Sequence, residues 1–279
     1  SVIVVFEPQP MEFFKREHAP ARLMRFREKY QALAAYELDY VFCLKFDERL
    51  SQLSANAFVE DILVSHLNVE HLVIGDDFRF GGNREGDYTL LNQLSTQYGF
   101  TVENTQTILT QASTGKQTCE MHQDSIVQRA SSTFVRSLLS QGDFLSVETL
   151  LGRPYAFCGR VVHGQKLGKQ LGFPTANINL KRVSSPLSGV YAVSVLLTSS
   201  NRTFSGVANV GCKPTVGQFK PSLEVHIFEF DENIYGEHVE VQFHQKLRDE
   251  QKFSGVEQLK AQIEKDSQNA QAFFAQELK

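Results

Sequence analysis

The sequence predicts two regions in series. Residues 1–149 read as an open α/β sheet wound in the Rossmann manner, and residues 150–279 as a small antiparallel Greek-key-type β-barrel with C-terminal helices. Up to Leu151, continuous apolar runs alternate with segments of helical spacing, the pattern of a helix-covered parallel sheet. Beyond Gly152-Arg-Pro154 the composition turns strand-rich, with period-2 segments parted by turn residues. At 279 residues the chain is long enough for two cores of ordinary size.

The elements follow in order. Ser1-Val-Ile-Val-Val-Phe6 is a continuous apolar run, as in a strand buried on both faces, and it lacks a polar lead-in, so the chain is expected to be cut short at its front. Phe6-Glu-Pro-Gln-Pro10 reads as a rigid exit loop. Leu23, Phe26, Tyr30 and Leu33 between charges give a helix over 22–36, and 40–44 is a second buried strand. Ser54 caps a helix reaching His66 with Phe58, Ile62 and Leu63 inward, before a third strand at 71–74. A helix over 88–98 and a strand over 100–103 continue the alternation. The polar stretch 106–128 has little periodicity and is expected to be a mobile connection. Ser131-Ser132-Thr133 cap the next helix, and a shorter helical run covers 144–151. Strands are expected at 158–163, 190–197, 203–210, 223–230 and 238–243. Val256, Leu259 and Ile263, then Ala272, Phe273 and Phe274, give C-terminal helices that lay one face on the barrel.

Composition removes several classes of function. With 42% hydrophobic and 22% charged residues the chain is an ordinary soluble one, and a net charge of -4 argues against a surface that coats nucleic acid. Cys43, Cys119, Cys158 and Cys212 lack C-x-x-C spacing, so neither a zinc knuckle nor a disulfide framework is expected, and a reducing cytoplasm fits. No apolar run approaches the ~20 residues of a membrane span, and no basic-then-apolar leader is present.

The chemistry is concentrated after the first barrel strand. Gly164, Gly168 and Gly172 recur at four-residue spacing and run into Phe173-Pro174-Thr175-Ala176-Asn177. Positions without side chains let backbone N–H groups approach an anion, and Lys166 and Lys169 add positive charge between them. A Walker loop has four residues between its glycines and Ser or Thr after its Lys; Gln170 follows Lys169 here. If Pro174 keeps the following chain extended, Thr175 and Asn177 point the same way, as two oxygen ligands of one hard cation such as Mg²⁺. The same glycines and proline also describe a turn-rich connection.

Other constellations carry two readings each. Period 2 places Glu224 with His226 and Phe228, opposite Leu223, Val225 and Ile227. It is either an exposed acid or a carboxylate that takes a proton from an attacking hydroxyl. Gly75-Asp-Asp-Phe-Arg-Phe-Gly81 follows a strand directly, where open α/β sheets place ligands. Phe78 and Phe80 could flank a flat ring while Asp77 and Arg79 make polar contacts, or the aromatics could plug the core. At the helix start, Ser132, Thr133 and Arg136 fit an anion site as well as ordinary capping.

The ordered set Phe-x-Pro-x-Pro, Gly-x-Asp-Phe-x-Phe-Gly, Ser-Ser-Thr-x-x-Arg, Gly-Phe-Pro-Thr-Ala-Asn and the strand Glu closely resembles the bacterial bifunctional riboflavin kinase/FAD synthetase family, over essentially the whole chain. The resemblance implies a nucleotidyltransferase-like first domain that turns FMN and ATP into FAD, and a second domain that turns riboflavin and ATP into FMN. It implies that Thr175 and Asn177 hold Mg-ATP, that the Gly164–Pro174 loop meets phosphates, and that Glu224 is the general base for the ribityl 5'-hydroxyl. Asn209-Val-Gly211, Pro214-Thr215 and Leu247-Arg248-Asp249-Glu250 match flavin-side segments, so Asn209 and Arg248 are expected against flavin. Asp77, Phe78 and Phe80, with Ser132, Thr133 and Arg136, match segments that contact flavin and nucleotide phosphates in the adenylyl-transfer half.

Three departures stand out. The family's first strand ends in a double-His loop that stabilises charge on the transferring phosphate, and this chain begins after it; as written, it is expected to phosphorylate riboflavin but to adenylylate FMN poorly. Gln9 stands where many members have His, and Ala130 where Ile is usual. From another class, a flavin-binding or flavin-delivery module without chemistry would share these binding residues but consume no ATP.

Overall fold

The computed structural model describes residues 1–15, 18–105, 109–112, 126–164, 167–215 and 218–277. The chain divides into two compact units: residues 1–20, 32–110 and 128–130 form the first, and residues 21–31, 111–127 and 131–279 the second. The expected division at 149/150 lies inside the second unit, because the two helices before it pack into the barrel's core.

In the first unit β1 (Val2–Glu7) leads through Pro8 and Gln9, within the expected exit loop, to a short helix α1 (Pro10–Phe14) that was not expected. Pro10 sets the first helical turn, and Gln9 and Glu12 close a reciprocal capping box. The helix expected over 22–36 is shorter, α2 (Phe26–Leu33), and residues 21–31, most of that helix included, belong to the second unit. Then come β2 (Tyr40–Lys45), α3 (Glu48–Gln52) and α4 (Ala55–Ala57). Ser54 caps α4 through Ala57 N at 3.2 Å, as expected, but Phe58–His66 continues as a π-helix. Ser65 Oγ donates to Glu60 O and the His66 ring bonds Asp61 O, each five residues back, the reach of that wider turn. β3 (His71–Gly75), α5 (Tyr88–Tyr98) and β4 (Thr101–Thr105) complete the alternation.

Pairing is parallel, β1 with β2 and β3 with β4, as the apolar runs predict. Among the described residues these four strands form two two-stranded sheets. Phe58, Val59, Leu63, Ile74, Phe80, Leu91 and Phe100 make the core, with Phe6 and Leu44 packed against it. Where a connection without structure was expected, β5 (Leu109–Ala112) and β6 (Ile126–Arg129) form a further two-stranded sheet; the rest of that stretch lies outside the described residues.

The second unit begins with α6 (Ser132–Gln141) and α7 (Phe144–Leu151), capped by Ser131 and Asp143. β7 (Ala156–Val162), α8 (Leu167–Gln170) and β8 (Ala176–Asn179) follow, then β9 (Gly189–Leu197), β10 (Arg202–Thr215), β11 (Gln218–Ile227) and β12 (His238–Arg248). The six strands close in the order β10-β11-β8-β7-β12-β9. β8 was not expected, being four residues long beside a turn. Alternate residues of each strand face inward, and Phe134, Leu138, Leu139, Phe144 and Val147 extend the same core, which fixes α6 and α7 to the barrel.

The expected C-terminal helices are one, α9 (Val256–Glu277), lying on β9, β10 and β12. Its buried alanine is Ala270 rather than Ala272. Val190, Ala192 and Val207 on the barrel's outer face meet Ala270, Phe273 and Phe274 there.

Residues 21–31 are held to the barrel by buried polar groups. Arg182 pairs with Glu28 at 2.6 Å, with side chains 1% and 5% exposed. Arg182 Nη1 donates to Arg22 O at 2.6 Å, and the Tyr155 hydroxyl donates to Leu23 O at 2.8 Å. Burial, offset in part by Arg182, pushes the Tyr155 phenol far above its ordinary range, so it stays a donor.

Candidate functional site

The ladder of the barrel assembles the site. Glu224 on β11 stands opposite Asn209 on β10 and opposite Asn177 on β8, and Asn177 stands opposite Val162 on β7. Directly opposed residues share a sheet face, so Asn209, Glu224 and Asn177 form a row on the barrel's exterior while Leu223, Val225 and Ile227 are buried behind it. The period-2 reading of Glu224 therefore holds. Thr175 is two residues before Asn177, and its hydroxyl donates to Glu224 Oε2 at 3.5 Å. His226 Nδ1 lies 2.8 Å from Pro174 O, which ties the Phe-Pro-Thr turn to β11.

The glycines fit closely over this row. A Cβ on Gly164 would lie 2.3 Å from Asn177 Nδ2, and one on Gly168 would lie 2.4 Å from Phe173 O and 3.3 Å from Thr175 Oγ1. A side chain at 164 would displace the Asn177 amide, and one at 168 would have to move the backbone of the turn. Gly172, at φ 92°, then reverses the chain into Phe173. Lys166 lies outside the described residues, and for Lys169 only the backbone, in α8, is described.

Two cavities meet at Thr175. One, of about 260 Å³, lies between the barrel's outer face and α9; Asn209, Glu224, His226, Arg248, Phe253 and Asp266 are among its walls. The other, of about 500 Å³, is lined by Pro174, Ala176, Phe230, Asn233, Ile234 and Tyr235, among others. Tyr235 also packs on His163, with ring centroids 3.9 Å apart. The sequence reading missed Asp266, Phe253 and the 230–235 turn. Asp266 could have been found as an acid in the buried stripe of a helix; the turn carries no comparable signal.

Asn209 and Arg248, both expected against flavin, line the smaller cavity. The first-unit residues fare differently. Phe80 is 6% exposed, stacked on Phe78 at 5.6 Å and packed on Phe58 at 5.4 Å, so it plugs the core instead of flanking a ligand ring. Phe78 is half-buried beside it, and Asp77 is exposed with Arg129 Nη2 3.3 Å away. Ser132 and Thr133 are exposed on the first turn of α6, but in the second unit. Arg136 turns its Nε to Ala21 O at 2.6 Å, and partial burial lowers its pKa. That bond ties it to the 21–25 segment.

Comparison with known proteins assigns the class. The riboflavin kinase family model matches residues 151–274 and the FAD synthetase family model matches residues 1–119, which defines a two-part flavin-cofactor enzyme. The bifunctional riboflavin kinase/FMN adenylyltransferase of Escherichia coli strain K12 is 45% identical over 98% of this chain and 82% of its own length. That of Haemophilus influenzae is 46% identical over 98% of this chain and 83% of its own, and that of Pseudomonas fluorescens 47% over 99% and 83%. The chain belongs to the bifunctional riboflavin kinase/FMN adenylyltransferase family. A solved structure named as a macrolide-efflux protein from Streptococcus pneumoniae superposes with a TM-score of 0.72 at 26% identity, covering 95% of this chain and 81% of that one. Among the described residues no helix is long and apolar enough to cross a membrane.

Proposed function

We propose that this chain makes flavin cofactors in two ATP-consuming steps: riboflavin to FMN in the barrel unit, and FMN to FAD through the N-terminal region. What carries the first step is the row Asn209, Glu224, Asn177, of which Asn209 and Glu224 line the smaller cavity, beside Thr175, which lines both. Riboflavin occupies the smaller cavity with its ribityl chain toward Glu224, and ATP occupies the larger one, its phosphates under the Gly164–Pro174 turn. Two substrates on either side of one threonine bring hydroxyl and γ-phosphate together, the positioning on which phosphoryl transfer chiefly depends.

The 5'-hydroxyl oxygen attacks the γ-phosphorus, its proton passes to the Glu224 carboxylate, and the bond from phosphorus to the ADP oxygen breaks. Thr175 Oγ1 and Asn177 Oδ1, together with the Glu224 carboxylate, form a hard oxygen donor set on one face, and glycine at 164 leaves Asn177 its room. These residues fit Mg²⁺, with Thr175 and Asn177 as ligands, and the ion would neutralise charge on the transferring phosphoryl group. The second step rests on the FAD synthetase match over 1–119 and on the relatives' named activity. Asp77 and Phe78 are the exposed and half-buried groups there that fit a flavin.

The deciding measurement is product formation from riboflavin, ATP and Mg²⁺, with ADP quantified alongside. A module that only binds flavin releases no ADP. Asn177→Ala should raise the Mg²⁺ concentration for half-maximal rate by about 10-fold or more and leave the riboflavin KM in place. An unchanged Mg²⁺ profile would remove Asn177 from the metal site.

A further inference from the structure

The buried stripe of α9 contains one residue that its packing does not ask for. Leu259, Ile263, Ala270, Phe273 and Phe274 recur at three- and four-residue steps against the barrel, and Asp266 stands among them, only 3% exposed. A carboxylate buried in an apolar stripe costs stability unless it is fully hydrogen-bonded. It is: Arg248 Nε–H donates to Asp266 Oδ1 and Oδ2 at 3.0 Å each, and Nη2–H donates to Oδ2 at 2.7 Å. Gln262, one turn earlier, adds a bond from Nε2 to Oδ1 at 2.8 Å. Arg248 ends β12, just past a break in its register with β9, and its Nη1 donates to Asp249 O at 2.9 Å. Its guanidinium carbon lies 5.7 Å from the centre of the Phe253 ring.

The grip has a consequence for the cavity that Arg248, Phe253 and Asp266 all line. A guanidinium has five N–H donors in one plane. Nε and one hydrogen of Nη2 go to Asp266, and one hydrogen of Nη1 goes to Asp249. One N–H remains on each Nη, on a plane whose orientation is fixed from behind by a buried, two-point contact.

We infer that Asp266 is a positioning residue for riboflavin: it holds Arg248 so that the two remaining N–H groups meet the carbonyl edge of the flat flavin ring. Pairing also cancels the charge of Arg248, which suits a neutral heteroaromatic ligand better than an anionic one. The inference rests on the reading that riboflavin occupies this cavity, and the two fail separately.

Steady-state kinetics of FMN formation on the full chain distinguish them. Asp266→Asn keeps the shape, gives up the charge and loosens the grip, so the riboflavin KM should rise by about 10-fold, the loss of one well-oriented hydrogen bond, with the ATP KM unchanged. Arg248→Ala should raise it at least as much, and adding Asp266→Asn to Arg248→Ala should add nothing, because Asp266 acts through Arg248. If Arg248→Ala raises the riboflavin KM and Asp266→Asn does not, the positioning role is overturned while the cavity assignment stands. If neither moves it, the cavity assignment falls and the inference with it. The double variant Arg248→Met/Asp266→Leu replaces the pair by apolar side chains and should melt no lower than the parent. Its riboflavin KM should remain raised; a return to the parental value would show that the pair serves packing alone.

Discussion

Asn209, Glu224 and Asn177 lie on three neighbouring strands of a closed barrel, whereas Asp77, Phe78 and Phe80 lie on one turn after a parallel strand. In the first case hydrogen-bond registers dictate which side chains share a face, so residues 15 and 47 positions apart are brought side by side by the ladder alone. In the second, neighbours along the chain part company: Phe80 goes into the core, Phe78 lies half-buried and Asp77 stays outside. A strand-built site needs its neighbours only to stay paired, and a turn-built one depends on what each residue meets.

Glu224→Gln should break the comparison most widely. It keeps the shape of the side chain and removes the proton acceptor, so FMN formation should fall by about 10² to 10⁴ while FAD formation from supplied FMN holds its rate. Chromatography of both products in one reaction measures the two together. A parallel loss of FAD formation would mean that the turn and the row do not serve separate reactions.

Stability changes should separate the regions next. Glu28→Ala leaves the Arg182 guanidinium, 1% exposed, without its charge partner, and should cost about 3–5 kcal/mol in the unfolding of the second unit. Phe80→Ala in the first unit empties a site between Phe58 and Phe78 and should cost about 3–5 kcal/mol there. Denaturant titration with far-ultraviolet circular dichroism would resolve the two transitions. A small effect of Phe80→Ala, accompanied by a raised FMN requirement, would return Phe80 to the flavin-contacting role that the resemblance implies.

How much could be read beforehand follows the same division. The inward set of β11 was legible, because an apolar alternation has only one way to face a core, and the helix over 88–98 matches its capped span. The strand at Ala176–Asn179 was not, since four residues after a Pro-Thr turn carry no period; it is a strand because β7 and β11 flank it. The π-helical turn and the late start of α2 were invisible for a different reason. Both depend on side chains taking backbone carbonyls, His66 and Ser65 within the helix, and Arg182 and Tyr155 from residues 132 or more away in the chain. Asp266 was legible in principle, as an acid on a buried helix face, but its partner could be named only from the fold.

The mildest effect concerns two cysteines, one in each region. Cys43 on β2 is exposed, while Cys158 on β7 is partly buried with its backbone held between Glu28 and Arg25 and its thiol 3.8 Å from Glu240 Oε2. Burial first, then the negative charges of Glu240 and Glu28, push the Cys158 thiol up to about 12. An unfolded cysteine titrates near ~8.5, so the unfolded chain releases this proton before the folded one does. The stability this thiol contributes is therefore complete below that pH and declines as the pH rises toward 12. Only the thiolate is alkylated readily, so iodoacetamide at pH 8.5 should label Cys43 at least about 10-fold faster than Cys158, as read by peptide mass spectrometry. Glu240→Gln removes one of the two charges without exposing the thiol, and should quicken Cys158 labelling only modestly, because burial is the larger cause. Equal rates at Cys43 and Cys158 in the parent chain would mean that β7 opens to solvent, and the contrast between a closed barrel and a two-stranded parallel pair would be lost.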